Sequence, residues 1–259
     1  MANAIYNLQL TISPVRILAL ETATRAGSWA LAEDGEVVAQ GQGGEGGTHD
    51  LRLPQPLVAL LDARGLTVAD VDFFAVATGP GSFTGLRVGI ATMQGFAVAT
   101  GKPVIPVPTL DAIAAAAAAE PDAAALEYIA VWLDAQRKEI FGALYTLRDQ
   151  PRLLMPPQVG TPAAIARETA DLIGSAHAGF AGDGAHRYHA SFETLGIGDA
   201  RLLPIRPIAP HLARLAASRT GEAVAPHALV PVYVRRTDAE LTRERAAAEG
   251  VAGPMPPTT

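Results

Sequence analysis

Val76-Ala77-Thr78-Gly79-Pro80-Gly81-Ser82-Phe83-Thr84-Gly85-Leu86-Arg87-Val88-Gly89-Ile90 joins an apolar run, Phe73 to Ala77, to a helical segment with small residues along its sides. The Gly-Pro-Gly turn between them gives a strand, a glycine loop and a helix N-terminus in succession. Such a junction exposes backbone N–H groups that no helical carbonyl satisfies, which suits an anion or a partner surface. Two phosphate signatures nevertheless fail. Glycines 79, 81 and 85 are spaced one residue too far for G-x-G-x-x-G, and no Lys-Ser/Thr pair completes a P-loop. Pro80 also removes an N–H group that such a loop would use. Gly79, Gly81 and Ser82 are therefore weak candidates for a nucleotide contact.

Outward from this loop the chain alternates regularly. Residues 15–21 and 27–33 read as strands, Asp34-Gly35 is a two-residue hairpin turn, and 36–42 is a third strand. A loop carrying glycines 41, 43, 44, 46 and 47 follows. Thr48 can cap a helix running toward Arg64 and ended by Gly65; Pro54 and Pro56 either kink it or make it begin near Pro56. A strand at 71–77, a helix at 84–100 stopped by Gly101 and a strand at 103–107 complete a β-β-β-α-β-α series. An alanine-rich helix, Thr109 to Glu120, leads to strands at 127–134, 139–147 and 152–159. A helix at 162–173, a short strand near 178–181 and a helix after Gly184 then repeat the series. A helix at 209–222 and a short strand at 229–234 come last.

Composition narrows the function classes. The 259 residues suffice for two domains, and 49% hydrophobic content supplies their cores, built from small and aliphatic side chains because aromatics are only 5%. No run approaches the roughly 20 apolar residues of a membrane span, and the first 14 residues lack the basic and apolar regions of a signal peptide. Zero cysteine excludes disulfides and thiolate metal sites and fits the cytoplasm. With 20 basic and 26 acidic residues the net charge is −6, so autonomous nucleic-acid binding is disfavoured. Arg235, Arg236, Arg243 and Arg245 form a local basic cluster that reads most simply as a solvated tail.

The string Gly79-Pro80-Gly81-Ser82-Phe83-Thr84-Gly85-Leu86-Arg87-Val88-Gly89-Ile90, preceded by Ile17-Leu18-Ala19-Leu20-Glu21-Thr22-Ala23-Thr24, resembles the TsaB family. Thr48-His49, Leu133-Asp134-Ala135-Gln136-Arg137-Lys138-Glu139-Ile140-Phe141 and Pro231-Val232-Tyr233-Val234-Arg235 extend the resemblance over roughly residues 15 to 236. It implies an α/β chain of two lobes with the actin-like ATPase (ribonuclease H-like) fold, each lobe a β-β-β-α-β-α unit with a mixed sheet. The divisions are an extension at 1–14, a first, partner-binding lobe at 15–108, a second lobe at 109–236 and a tail at 237–259. The helix near 209–222 is the element that could pack back on the first lobe.

The family is the non-catalytic partner of the transferase TsaD in threonylcarbamoyladenosine formation, at adenosine 37 of tRNAs reading codons that begin with A. The resemblance implies a heterodimer with TsaD, binding of the ATPase TsaE to the pair, only indirect handling of tRNA, and no membrane association. A homodimer is the arrangement open to the isolated chain. No cofactor is expected to bind tightly; ATP or ADP would enter only at an interface of the complex. In this family the first-lobe helices form the partner contact, which here points to His49, Leu53, Leu57, Leu60, Gly85, Arg87, Val88, Gly89, Thr92, Met93 and Phe96.

The residues themselves favour a silent site. Glu21-Thr22-Ala23-Thr24 stands where a superfamily ATPase has Asp-x-Gly-Thr; Ala23 blocks the close backbone approach that glycine allows, and Glu21 is a methylene longer. Glu21 and Asp134 end the first strand of each half, where metal-nucleotide acids would sit. TsaD-like relatives hold metal through two histidines four apart, but Leu53 replaces the second, so His49 alone makes no metal site. His186 and His189 share a helical spacing without a Glu or Cys to complete a site. No nucleophile elbow and no H-E-x-x-H support peptidase chemistry. Gly182 and Asp183, in Gly182-Asp183-Gly184, are either a weak nucleotide contact or a tight turn. Arg87 sits in a helix's first turn against the macrodipole, and either meets a partner carboxylate or reaches solvent. Gly85, Gly89 and Gly95 lie inside a helix, where each glycine costs about 0.5–1 kcal/mol, so close packing must offset them, within the chain or against another helix. A scaffold subunit is the expectation; a small-molecule phosphotransferase using Glu21, Asp134 and the 79–85 loop is the alternative.

Overall fold

The computed structural model describes residues 13–44, 53–148, 150–174 and 176–235. Thr48, His49, Arg236, Arg243 and Arg245 lie outside them. The chain forms two compact units that are discontinuous in sequence. One contains the described residues up to Ala77, Arg87–Val107 and Pro207–Leu229; the other contains Thr78–Leu86, Pro108–Arg206 and Val230 onward. A single division near residue 108 therefore leaves out the exchange of the glycine loop, while the 207–229 segment joins the first unit as expected of its helix.

In the first unit, β1 (Arg16–Glu21) is almost wholly apolar and buried, as a central strand should be. It pairs antiparallel with β2 (Ser28–Glu33), which pairs antiparallel with β3 (Glu36–Gln42). Asp34 and Gly35 take positive φ, 50° and 85°, so the short turn matches the right-handed strand twist. On the other side of β1 lie β4 (Phe73–Ala77) and β5 (Val104–Val107), both parallel to their neighbours, giving the order β3-β2-β1-β4-β5. Parallel pairs need a crossover. That connection is α2 (Phe83–Thr100), stopped at Gly101, whose φ of 69° is left-handed. α1 (Gln55–Asp62) carries Pro56 in its first turn, where the missing N–H is harmless, so the proline opens this helix instead of kinking it. Leu57 and Leu61 of α1 join Ile90, Met93 and Ala97 of α2 over Leu18, Leu20, Phe74 and Val76.

The second unit repeats this plan. β6 (Tyr128–Asp134) pairs antiparallel with β7 (Ile140–Thr146), which pairs antiparallel with β8 (Arg152–Gly160); β9 (Ala178–Ala181) and the two-residue β10 (Arg201–Leu202) are parallel additions. The order β10-β9-β6-β7-β8 is the first sheet's order with β6 in place of β1. The fold is thus the expected α/β duplication of β-β-β-α-β-α units with mixed sheets. α3 (Thr109–Ala118), α4 (Pro162–Ile173) and α5 (Asp183–Tyr188) pack on this sheet, with Trp132, Phe180 and Phe192 ring to ring in the core. Thr161 caps α4 by accepting from the Ala164 N–H at 3.3 Å, the role expected of Thr before a helix.

Two expectations change at the C-terminal end. α6 (Ala209–Ser218) is shorter than 209–222, and Thr220–Glu222 continues as a single 3-10 turn. It packs across the first sheet through Leu212, Ala213 and Ala216 and belongs to the first unit, in line with the expected packing of this helix on the first lobe. The 229–234 strand does not form. Leu229 to Val234 is rich in the β-branched and aromatic side chains of a strand, but Pro231 has no N–H, and Val232 makes one backbone bond, donating to Thr78 O at 2.7 Å.

Candidate functional site

The glycine loop is occupied by its own chain. Gly79 N–H donates to Thr109 Oγ1 at 3.1 Å, and the Thr109 N–H donates back to Gly79 O at 2.9 Å. Gly79 has a φ of 120°, and a Cβ there would lie 2.4 Å from Val232 O. The segment after Val230 therefore closes on the loop where a phosphate would approach, and Tyr233 stacks obliquely on Phe83, ring centroids 5.2 Å apart. Ser82 is a helix cap: its Oγ accepts from the Gly85 N–H at 3.2 Å and its carbonyl from Leu86 N–H at 2.8 Å. Gly81 is half-buried between them.

The strand-end acids are likewise engaged. Glu21 is fully buried and accepts from the Thr24 N–H at 2.5 Å, Thr24 Oγ1 at 2.8 Å and Ser28 Oγ at 3.3 Å. Ser28 Oγ in turn accepts from the Ala209 N–H at 3.1 Å, linking this turn to the start of α6. The carboxylate thus folds back on its own hairpin. Burial pushes the Glu21 carboxyl above its ordinary value of 4.5, only partly opposed by the bonds from Thr24 and Ser28. A raised folded-state pKa means stability that is complete below about pH 4.5 and is lost as pH rises through the elevated value. Glu21→Gln is expected to flatten that decline in a plot of Tm against pH; an unaltered slope would assign it to other groups.

Asp134 accepts from Gln136 N–H at 3.1 Å, Gln136 Nε2 at 3.0 Å and Arg187 Nη1 at 2.7 Å. Asp183 accepts from the Asp134 N–H at 2.8 Å; burial, with the Asp134 charge adding to it, raises its carboxyl pKa. A Cβ on Gly182 or Gly184 would lie 2.4 or 2.8 Å from Trp132 O, so both glycines serve the close approach of α5 to β6. This favours the tight-turn reading of Gly182-Asp183-Gly184. Among the described residues no three His, Asp or Glu side chains gather as a metal-holding group. His186 Nε2 pairs with Leu203 O at 2.7 Å, and the His189 ring meets the edge of Phe192 at 5.2 Å.

The helix candidates divide by face. Leu57 and Met93 are fully buried in the first unit's core, and Gly85 and Gly89 are buried along α2. A Cβ on Gly89 would sit 2.1 Å from Thr22 Oγ1, so that glycine answers to packing inside the unit. These four cannot line an outer surface. Leu53, Leu60 and Phe96 are half-buried against the same core. Arg87 and Val88 are exposed and Thr92 is half-buried; the outward side of α2 continues through Ala91, Gly95, Val98 and Ala99. Val88 and Val98 are 42% and 70% exposed, and nothing lies within 4 Å of a Cβ on Gly95. Gln94, which no sequence pattern marked, ties α2 down by donating to Pro226 O at 2.7 Å and Leu229 O at 3.1 Å.

Arg235 departs from the solvated-tail reading, while Arg236, Arg243 and Arg245 of that cluster lie outside the described residues. It donates to Ala135 O at 2.6 Å and to the Glu139 carboxylate, and its guanidinium lies 5.8 Å from the centre of the Phe141 ring. Nothing local in the sequence marks a bond spanning a hundred positions.

A family model described as TsaD, tRNA N6-adenosine threonylcarbamoyltransferase, matches residues 46–229. The chain belongs to the TsaD family, on its TsaB-like side. The tRNA threonylcarbamoyladenosine biosynthesis protein TsaB of Escherichia coli is 36% identical over 131 residues, 51% of this chain and 55% of that protein. An uncharacterised Mycobacterium leprae protein is 35% identical over 230 residues, 86% of this chain. The TsaB-like chain spans 56% of that relative's length. Among solved structures, an uncharacterised Pseudomonas aeruginosa protein with similarity to peptidase YEAZ superposes with a TM-score of 0.67 at 30% identity, covering 85% of this chain and 100% of that one. Among the described residues, no helix of the TsaB-like chain is long and apolar enough to cross a membrane.

Proposed function

We propose that this chain is a non-catalytic scaffold and activator of a TsaD-type subunit, in forming the threonylcarbamoyl group on adenosine 37 of tRNAs that read codons beginning with A. One observation carries the reading. The loop and the strand-end acids that a nucleotide-using relative would turn toward substrate are held by the chain's own groups, Thr109, Thr24, Ser28 and Arg187. The outward side of α2 meanwhile stays small and apolar, with Val88 and Val98 in solvent. A helix that shows small residues lets another backbone approach closely, and apolar area removed from water there yields about 25 cal/mol per Å².

In this reading the partner supplies the metal and the transferase chemistry, and this chain meets tRNA only indirectly. ATP or ADP enters only at the boundary with the partner, a TsaE-type ATPase joins the assembled pair, and the setting is the cytoplasm. In the partner's absence the same side of α2 serves a homodimer. The test is copurification of the full chain with its cognate TsaD at physiological salt, and failure to associate overturns the proposal. Micromolar binding of Mg-ATP by the isolated chain, read by calorimetry, would favour the phosphotransferase reading instead.

A further inference from the structure

The inward side of α4 carries Ile165, Ala166, Thr169 and Ile173 at helical spacing. Thr169 is the polar member of that stripe, and it is only 1% exposed. A threonine inside a helix commonly satisfies its hydroxyl on the carbonyl four residues back. Here Thr169 Oγ1 finds no hydrogen-bond partner among the described residues. A buried hydroxyl left this way costs stability, and valine would have the same shape without that cost. The missing partner has room to bind. Thr169 lines a cavity of about 550 Å³ between the C-terminal half of α4, the start of β9 and the loop that enters β10, all inside the second unit. That volume lies in the range of small-molecule sites.

The lining grades from apolar to charged. Ile173, Phe180 and Ile197 supply apolar walls. Asp199 and Arg201 line the same cavity but are exposed, so they mark its mouth, whereas buried Thr169 marks its depth. Arg201 reaches Asp122 through Nη1 alone, at 3.4 Å, which leaves its other donors open to a carboxylate. The Asp199 carboxylate can accept from an ammonium group. We propose that this cavity binds an amino-acid-like zwitterion whose apolar body ends in a hydroxyl. Its ammonium meets Asp199, its carboxylate meets Arg201, its body lies between the apolar walls, and its hydroxyl pairs with Thr169. None of these residues is on α2, so association through that helix is a separate matter.

The test is titration calorimetry of the full chain with L-tyrosine, L-phenylalanine, tyramine and desaminotyrosine. L-tyrosine is expected to bind about tenfold more tightly than L-phenylalanine, which lacks the terminal hydroxyl, and than tyramine or desaminotyrosine, which each lack one charged group. Thr169→Val is expected to erase the preference for tyrosine over phenylalanine. The same variant without ligand is expected to melt roughly 2–4 °C higher, because its core no longer holds an unpaired hydroxyl. That opposition separates loss of a contact from misfolding. Arg201→Gln is expected to bring tyrosine down to the affinity of tyramine. Absence of binding by all the probes overturns the inference, and so does equal affinity of the wild-type chain for tyrosine and phenylalanine. A ligand-free Thr169→Val chain that melts lower than the wild type also overturns it, since the hydroxyl would then have a partner inside the protein.

Discussion

Gly182→Ala is expected to destabilise the second unit by about 3 kcal/mol, lowering its Tm by roughly 6–12 °C. Gly182 has φ 97° and ψ 164°, a region open essentially to glycine alone, and holding another residue there costs about 1–3 kcal/mol. The new Cβ would also lie 2.4 Å from Trp132 O and 3.1 Å from Trp132 C. That carbonyl cannot retreat, since Trp132 is paired with Gly142 across β7 and is packed edge-on against Phe180 and Phe192. Relief must therefore come from moving α5, adding the 1–3 kcal/mol typical of overpacking. Gly95→Ala is the control of opposite sign: its Cβ meets nothing within 4 Å, so about 0.5–1 kcal/mol of added stability is expected. Thermal denaturation followed by circular dichroism compares the two. A Gly182→Ala chain melting with the wild type would show that α5 is not pressed against β6.

Val88→Glu/Ala91→Glu is expected to weaken association with a TsaD-type partner more than 100-fold, with Tm changed by no more than a degree or two. Both positions are exposed on α2, so the folded chain loses little on substitution. Against a docked helix the new carboxylates would be desolvated without partners, and about 2.7 kcal/mol already corresponds to a factor of 100 in affinity. Leu172→Glu, exposed on α4 of the other unit, is expected to leave association unchanged. Titration calorimetry or a pull-down at matched concentrations reads all three proteins. Undiminished binding by the α2 variant would remove this helix from the interface.

The elements and their order were legible because their signals are local. Asp34-Gly35 needs only its own φ preferences to make a hairpin, and Gly101 to end α2. Legibility failed where a distant partner decides. Leu57 and Met93 were placed at the partner contact because the resemblance assigns whole helices to it, and spacing alone does not say which residues of a helix turn toward the sheet. Residues 229–234 looked like a strand because their β-forming side chains were visible while the lack of a ladder was not. Arg235 looked like part of a basic tail, yet its partners Ala135 and Glu139 lie about a hundred positions earlier.

By itself the sequence determined the two rounds of β-β-β-α-β-α, the defective phosphate signatures and the family, all of which rest on short-range pattern. Only the tertiary structure decided which side of α2 is open, that the glycine loop is filled by Thr109 and Val232, and that Arg235 is held by Ala135 and Glu139. The physical reason is range. Propensity and periodicity act over a few residues, whereas burial, charge pairing and backbone strain are set by whichever distant segment folding brings alongside.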